Sequence, residues 1–367
     1  MPESIPERGN ALSKVVVLIL GLLIVAGVGY AVFVVSEPPD LVVYAAHDEV
    51  HSRPVLEAFA KETGLKVRMI FDTEATKTVG LTSLLMEEKR NPKCDVFWNN
   101  ELVHTIRLKR EKVLEPYVSP AAADIPDEWK DPEGYWTGFG ARARILILNT
   151  EAAKKIEPDE AKWPKSTRDL LDPKWKGHAA VAEPTAGTTL THMAYLWSHR
   201  GPDFVKDFWT RFRENEGRVP PGNGPVMRIT SEGGTVFGFT DTDDFRKAEV
   251  GGKPVIRIFP DQESTGESSG DEGSAVPGCV VIPNSVMLIR GGPNPGNGKK
   301  LIDYILSKKV EERLAHSDAA QMPVRSSVAR PDHVVSAADL KTAEVDWEKV
   351  ADAVEPFTDW VKEFLGK

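Results

Sequence analysis

From residue 41 onward, short apolar segments alternate with segments of helical spacing, and this alternation constrains the fold more than any other feature. The apolar segments have the length of buried strands, and the segments between them repeat their apolar residues with the period of a helix. The predicted strands are 41–45, 66–71, 95–98, 144–148, 179–182, 236–240, 255–259 and 280–289. Strand–helix alternation of this kind predicts a doubly wound α/β fold with a parallel sheet.

The composition sets the size of the fold and excludes several classes of function. A chain of 367 residues with 41% hydrophobic residues can form about two domains, each with its own core. Its net charge of −9 disfavours nucleic-acid binding, which requires the neutralisation of phosphates, and is better suited to a cationic ligand. Its two cysteines exclude a disulfide-rich scaffold and a zinc site built from CxxC motifs.

The N-terminus determines the expected compartment. Residues 15–35 form an uncharged apolar run, long enough for the roughly 20 residues that span a bilayer. Arg8 and Lys14 precede this run, which predicts that residues 1–14 are cytoplasmic and the body extracytoplasmic. A cleaved signal peptide is the alternative, but its apolar region is normally shorter. We therefore expect an uncleaved membrane anchor that holds the body on the periplasmic face.

Polar residues follow the first three predicted strands. His47 follows the first, Asp72 the second and Glu101 the third. Ligands of open α/β sheets bind beyond the carboxyl ends of the strands, so these residues are candidates for one shared, cation-binding site. Each acidic residue is also typical of a helix cap, and capping alone is the alternative explanation.

A further acidic run follows the predicted strand 236–240. It contains Asp243 and Asp244, whose carboxylates are hard oxygen ligands for a cation. The alternative is a helix N-terminus, where carboxylates offset the helix dipole.

Two other segments are typical of an anion-binding site. Thr185, Gly187 and Thr188 lie in a small, hydroxyl-rich loop before a predicted helix, whose N-terminus can bind an anion. Arg142 and Arg144 share one face of the chain if the segment is extended, and arginine forms bidentate contacts with carboxylates and phosphates. An ordinary helix cap is the alternative for the threonine loop.

Several blocks of the sequence, in this order, resemble the periplasmic solute-binding proteins of ABC importers, and the ferric-ion-binding branch in particular. The blocks are VVYAAHDE, CDVFWNNE, GYWTGFGARARILILNT, VVIPNSVMLIRGGPNPGNGKKLIDYILS and AAQMPVR. The resemblance implies the type II fold, with two α/β lobes and the ligand in the cleft between them. Lobe 1 would comprise residues 40–140 and 275–335, lobe 2 residues 141–274, and a helical tail residues 336–367.

The resemblance also implies roles for individual residues. His47 matches a position that can supply a metal-binding histidine, and Glu101 lies next to the position of a frequent glutamate ligand. Asp243 and Asp244 stand where ferric-ion binders have two adjacent tyrosines. The implied metal ligands are therefore His47, Glu101, Asp243 and Asp244. The segment from Thr185 to Thr188, with Arg142 or Arg144, matches the region that holds a synergistic anion.

The predicted function is capture of a solute and its delivery to an ABC permease, without covalent chemistry or a required cofactor. The ligand is a metal cation with a bound anion, a zwitterion such as an aminophosphonate, or a polyamine. We expect a monomer with no nucleic-acid partner. The alternatives from other classes are a metal-dependent extracellular hydrolase, for which the sequence has no motif, and a sensory or structural ectodomain.

Overall fold

The computed structural model describes residues 38–72, 79–263 and 278–366. The predicted cytoplasmic segment 1–14 and the predicted anchor 15–35 lie outside these residues. Within the described ranges, no helix combines the length and the apolar character needed to cross a membrane. The chain from residue 41 onward forms one compact unit, to which the following description applies.

The strands form one continuous sheet along most of the molecule. They are β1 (Leu41–Ala45), β2 (Val67–Phe71), β3 (Val96–Asn99), β4 (Leu114–Glu115), β5 (Thr137–Asn149), β6 (Ala179–Val181), β7 (Phe237–Asp241), β8 (Val255–Ile258) and β9 (Val281–Ile289). Their order is β2-β1-β3-β9-β5-β7-β6, while β4 pairs with β9 and β8 pairs with β5.

Helices cover the sheet. They are α1 (Glu49–Thr63), α2 (Val79–Glu87), α3 (Leu102–Arg110), α4 (Thr150–Ile156), α5 (Gly187–Arg200), α6 (Pro202–Glu214), α7 (Asn223–Ser231), α8 (Thr242–Val250), α9 (Pro295–Ile305), α10 (Lys308–Ala315) and α11 (Trp347–Leu365). α9 and α10 are separate helices, because Ser307 lies between them and its hydroxyl caps α10 by accepting from the N–H of Val310.

The sheet is mixed, so the expectation of a parallel sheet is wrong in part. β1 pairs in parallel with β2 and β3, and β6 pairs in parallel with β7. β5 and β9 run antiparallel to each other, and each is antiparallel to its other neighbours. β9 therefore runs opposite to the parallel strands β1, β2 and β3, and β5 runs opposite to the parallel strands β6 and β7.

β5 belongs to both halves of the sheet. It pairs with β9 from Thr137 to Ala143, and it pairs with β7 from Arg144 to Leu148. This long strand, predicted only as 144–148, is fully buried. The change of partner at 143/144 lies close to the predicted lobe boundary at 140/141. The exact bounds of the lobes stay a prediction.

Both faces of the sheet are apolar, and the core continues from one half to the other. Alternate residues of β1 point to opposite faces: Val42 and Tyr44 join one buried cluster, and Val43 joins the other. The same alternation holds along β5, where Leu146 faces the first cluster and Ile145 the second. The two halves therefore share a core along β5 rather than meeting only at a hinge.

The C-terminal helix α11 contacts elements of both predicted lobes. Glu348 lies 2.8 Å from Arg110 of α3, and Asp352 lies 2.6 Å from the same guanidinium group. On the other side, the rings of Phe357 and Trp197 of α5 have centroids 5.6 Å apart. The segment predicted as a tail is therefore an integral layer of the fold.

Candidate ligand-binding cleft

The ends of β1, β2 and β3 place three of the predicted residues at one edge of the sheet. Ala45 is in register with Phe71 of β2 and with Trp98 of β3. His47 and Asp72 follow directly beyond these positions. Because β2 is the edge strand, Asp72 lies one strand beyond His47, away from the centre of the sheet.

His47 is buried against the sheet. Its ring stacks on Trp98 with centroids 5.5 Å apart, and its centroid lies 5.8 Å from that of His51. Ser52 lies inside the first turn of α1. The chain already turns at Asp48, and the Ser52 hydroxyl donates backward to the carbonyls of His47 and Asp48. The helix consequently begins at Glu49 and includes His51 in its first turn.

His51 faces charged groups of other elements. Burial lowers the pKa of its imidazole, and Asp48, Lys247, Asp243 and Asp318 also act on it. Lys247 and Asp243 belong to α8, on the other side of the predicted cleft. The first turn of α1 therefore lies within electrostatic range of α8.

Glu101 and Arg142 form a buried ion pair. Arg142 Nη2 donates to Glu101 Oε1 at 2.8 Å and to the carbonyl of Asn100 at 2.8 Å. Thr191 of α5 donates its hydroxyl to Glu101 Oε2 at 2.7 Å. Burial lowers the pKa of Arg142, but Glu101 and Asp241 outweigh burial, and the net shift is upward. Glu101 thus accepts bonds from β5 and from α5.

Arg144 pairs with Asp241, which is its partner in the register of β5 and β7. Arg144 Nη1 donates to Asp241 Oδ1 at 2.6 Å, and both side chains are buried. The guanidinium group lies over the ring of Phe239, 4.3 Å from its centroid. Phe239 and Asp241 are two residues apart on one face of β7. This strand therefore supplies both the ring under the Arg144 guanidinium group and the carboxylate that pairs with its charge.

Further donors converge on Asp241. Thr188 donates its hydroxyl to Asp241 Oδ2 at 2.5 Å, and Asn223 Nδ2 donates to the same oxygen at 3.0 Å. Arg142 Nε lies 3.7 Å from this oxygen. We call Glu101, Arg142, Arg144 and Asp241 the arginine centre, in which each arginine has a carboxylate partner.

The predicted anion-binding residues separate in the structure. Arg142 and Arg144 belong to the arginine centre, and Thr188 donates to it through Asp241. Thr185 instead donates its hydroxyl to Glu183 at 2.8 Å. Gly187 is the first residue of α5 and has a φ of 62°, which a residue with a side chain rarely adopts. It shapes the start of the helix that carries Thr188.

Asp243 and Asp244 form the other part of the cleft, which we call the carboxylate edge. They lie in the first turn of α8, and carboxylate oxygens of Asp241, Asp243 and Asp244 come within 4.8 Å of one another. Burial raises the pKa of Asp244 to about 7, and Asp243 and Asp241 add to this shift. Burial and Asp241 also raise the pKa of Asp243, against Arg142 and Lys247.

Several polar residues of the cleft were not predicted as site residues. They are His51, Thr189, Thr191, Asn223 and Asp241. Asp241 begins the acidic run already noted, but its position opposite Arg144 depends on the register of β5 and β7, which the sequence does not show. Asn223 begins α7 in the turn sequence Pro-Gly-Asn-Gly-Pro, which is a detectable signal. Thr191 lies one helical turn after the threonine loop.

The chain is similar to solute-binding proteins in sequence and in fold. Residues 92–237 match the family described as bacterial extracellular solute-binding protein. Iron uptake protein A1 of Synechocystis sp. is 24% identical over 340 residues, which cover 89% of this chain and 88% of that protein. The putative 2-aminoethylphosphonate-binding periplasmic protein of Salmonella paratyphi A is 26% identical over 302 residues, with coverages of 80% and 82%.

A solved structure has the same fold. Iron-bound HitA from Pseudomonas aeruginosa superposes with a TM-score of 0.74 at 22% identity, over 88% of this chain and 99% of that one. Together with the sequence matches, this similarity confirms the predicted class. The chain therefore has a two-lobed, mixed α/β fold, and its sequence is similar to bacterial extracellular solute-binding proteins over most of its length.

Proposed function

We propose that this protein captures a small cationic solute, and a metal cation in particular, at the carboxylate edge and delivers it to an ABC permease. The ligand would lie between α8 and the segment that carries His47 and His51. The protein would perform no covalent chemistry on it. One observation carries the proposal: the half-buried carboxylate of Asp243 and the buried carboxylate of Asp244 stand side by side with raised pKa values, next to the carboxylate of Asp241.

Electrostatics explains why this arrangement favours a cation. Two adjacent carboxylates repel each other, and burial makes their ionised forms more costly still. Lys247 Nζ lies 3.6 Å from Asp244 Oδ1, but its side chain is about half exposed, and solvent weakens its effect. A cation between Asp243 and Asp244 would relieve the repulsion and restore the ordinary acidity of both groups.

The donor types fit a hard cation. Carboxylate oxygens are ligands for hard metal ions, and an imidazole such as His47 suits iron, zinc and similar metals. The segment 237–245 contains no tyrosine, so a site here would lack the phenolate ligands that the ferric-ion-binding branch uses. We therefore expect hard-cation binding without the strong colour of a ferric–phenolate complex. Ferric ion is one candidate cargo, as the names of several relatives suggest.

The proposal can be tested by a thermal-shift screen followed by calorimetric titration. The screen would contain ferric citrate, manganese, zinc, spermidine and 2-aminoethylphosphonate. A ligand at 100 times its Kd raises the stability of the protein by about 2.7 kcal/mol, which a melt resolves easily. We expect stabilisation by at least one metal and its loss in Asp243→Asn and Asp244→Asn.

Asp203→Asn is the matched control. Asp203 is also an aspartate in the first turn of a helix, α6, but it is solvent-exposed. If the control loses the metal response equally, or if the two variants at the carboxylate edge keep it, the assignment of the site is wrong. Stabilisation by 2-aminoethylphosphonate alone would favour the second candidate, a zwitterion whose ammonium group contacts the carboxylate edge.

A further inference from the structure

We propose that Asp241 is a built-in counter-anion, so that the protein binds its cation without a separate anion. Its carboxylate fills the place, between Arg144 and the first turn of α5, that a free anion would otherwise take. This inference rests on the proposed function, because it narrows the ligand of the same cleft to a cation that arrives alone.

The groups around Asp241 are those that would recognise a free oxyanion. A guanidinium group, a hydroxyl group and a carboxamide, from Arg144, Thr188 and Asn223, donate to its two oxygens at 2.5–3.0 Å. Thr188 is the second residue of α5, where the helix dipole also favours negative charge. These donors are therefore already engaged by the protein itself.

The backbone holds this carboxylate in place. Arg144 and Asp241 are paired residues of two antiparallel strands, so their contact is a consequence of sheet register. Arg144 is fully buried and Asp241 is 3% exposed. If the Asp241 side chain turned away, it would leave a buried guanidinium group without its charge partner, which is strongly unfavourable.

The charges of the arginine centre are balanced. Glu101 neutralises Arg142, and Asp241 neutralises Arg144 while lying 3.7 Å from Arg142 as well. An additional anion would leave this buried group with excess negative charge, beside a carboxylate edge that is already crowded. Cation binding at that edge therefore needs no anion to offset the arginines.

The test uses inorganic phosphate and the full chain in the absence of metal. We expect millimolar phosphate to leave the melting temperature of the wild type unchanged. In Asp241→Ala the donors are released and space is opened, so phosphate should raise the melting temperature, with an affinity at least tenfold above that of the wild type. Asp131→Ala is the matched control, because it removes a buried aspartate that pairs with Lys109 in lobe 1.

Asp241→Asn provides a second variant in case Asp241→Ala does not fold. It keeps the shape and removes the charge, and it should show a smaller gain in phosphate affinity of the same sign. The inference is overturned if neither variant gains phosphate binding over the control, or if the wild type itself binds phosphate or 2-aminoethylphosphonate at Arg144.

A titration of the wild type with metal, with and without phosphate, separates this inference from the proposed function. Metal affinity that does not depend on phosphate supports both the counter-anion role of Asp241 and the proposed cation site. Metal binding that requires phosphate defeats the counter-anion and leaves the cation site standing. Failure to bind any metal defeats the proposed function, while the phosphate response of Asp241→Ala would still report on the counter-anion.

Discussion

The arginine centre and the carboxylate edge are adjacent in the cleft, but their charges are arranged in opposite ways. In the arginine centre each guanidinium group has a carboxylate partner within 2.8 Å. At the carboxylate edge, Asp243 and Asp244 are neighbours whose pKa values are both raised. The charges of the first region are balanced without a ligand, whereas the second region holds like charges that a cation would offset. We therefore expect the first region to act structurally and the second to bind the ligand.

The largest effect is expected from removing one partner of the complete region. Arg144→Met leaves Asp241 buried without its charge partner, which should lower the free energy of unfolding by about 3–5 kcal/mol. Urea denaturation followed by circular dichroism would measure this loss. The double variant Arg144→Met/Asp241→Leu removes both charges and should recover most of it. A loss below about 1 kcal/mol in the single variant, as for a surface pair, would contradict a buried, balanced centre.

Removing a charge from the carboxylate edge should have the opposite effect on stability. Asp243→Asn or Asp244→Asn removes a repulsion, so the ligand-free protein should unfold at the same or a slightly higher urea concentration. Cation affinity should fall by about 1.5–3 kcal/mol, the value of a lost charged interaction. Paired denaturation and calorimetry would check both quantities. If the variants lose stability and keep their affinity, both aspartates are merely caps of α8.

The pH dependence of stability provides a third comparison. The pKa of Asp244 is about 7 in the folded protein, above its ordinary value of 3.8, so the folded state binds the proton more tightly than the unfolded state. Its contribution is therefore fully present below about pH 4 and is lost as the pH rises through about 7.

We expect the ligand-free wild type to lose more stability over this range than Asp244→Asn, by at most about 4 kcal/mol, since the pKa rises from 3.8 to about 7 and one pKa unit corresponds to about 1.36 kcal/mol. Urea denaturation at closely spaced pH values would measure the two curves. Parallel curves would mean that Asp244 titrates normally. A saturating cation should flatten the wild-type curve in the same way as the substitution does.

The sequence predicted the two regions with different success. Local patterns indicated that Arg142 and Arg144 share a face and that Asp243 and Asp244 follow a buried strand, and the structure has both features. The partner of Arg144 could not be inferred, because the pairing with Asp241 depends on the register of two strands separated by almost 100 residues of chain. The antiparallel direction of β5 and β9 depends likewise on long-range topology, which alternation of strands and helices does not determine.

The alternatives left open for single residues were resolved by contacts rather than by residue type. Thr185 and Thr188 belong to the same hydroxyl-rich loop, yet one bonds to Glu183 and the other to Asp241. As residue types, both threonines are equally able to bind an anion. Only the position of each hydroxyl group relative to a buried carboxylate distinguishes them.

The smallest expected effect concerns the bond that links the arginine centre across the predicted cleft. Thr191 of α5 donates to Glu101 at 2.7 Å across the predicted lobe boundary, and we expect opening of the lobes to break this contact. Thr191→Val removes one hydrogen bond of about 1 kcal/mol from the closed form alone, so cation affinity should fall about fivefold. Small-angle scattering should also show a larger radius of gyration at a given cation concentration.

Thr210→Val is the control, because the hydroxyl of Thr210 donates within its own helix to the carbonyl of Lys206. Equal affinities for the two variants would mean that the Glu101–Thr191 bond persists in the open form, and that lobe closure is controlled elsewhere.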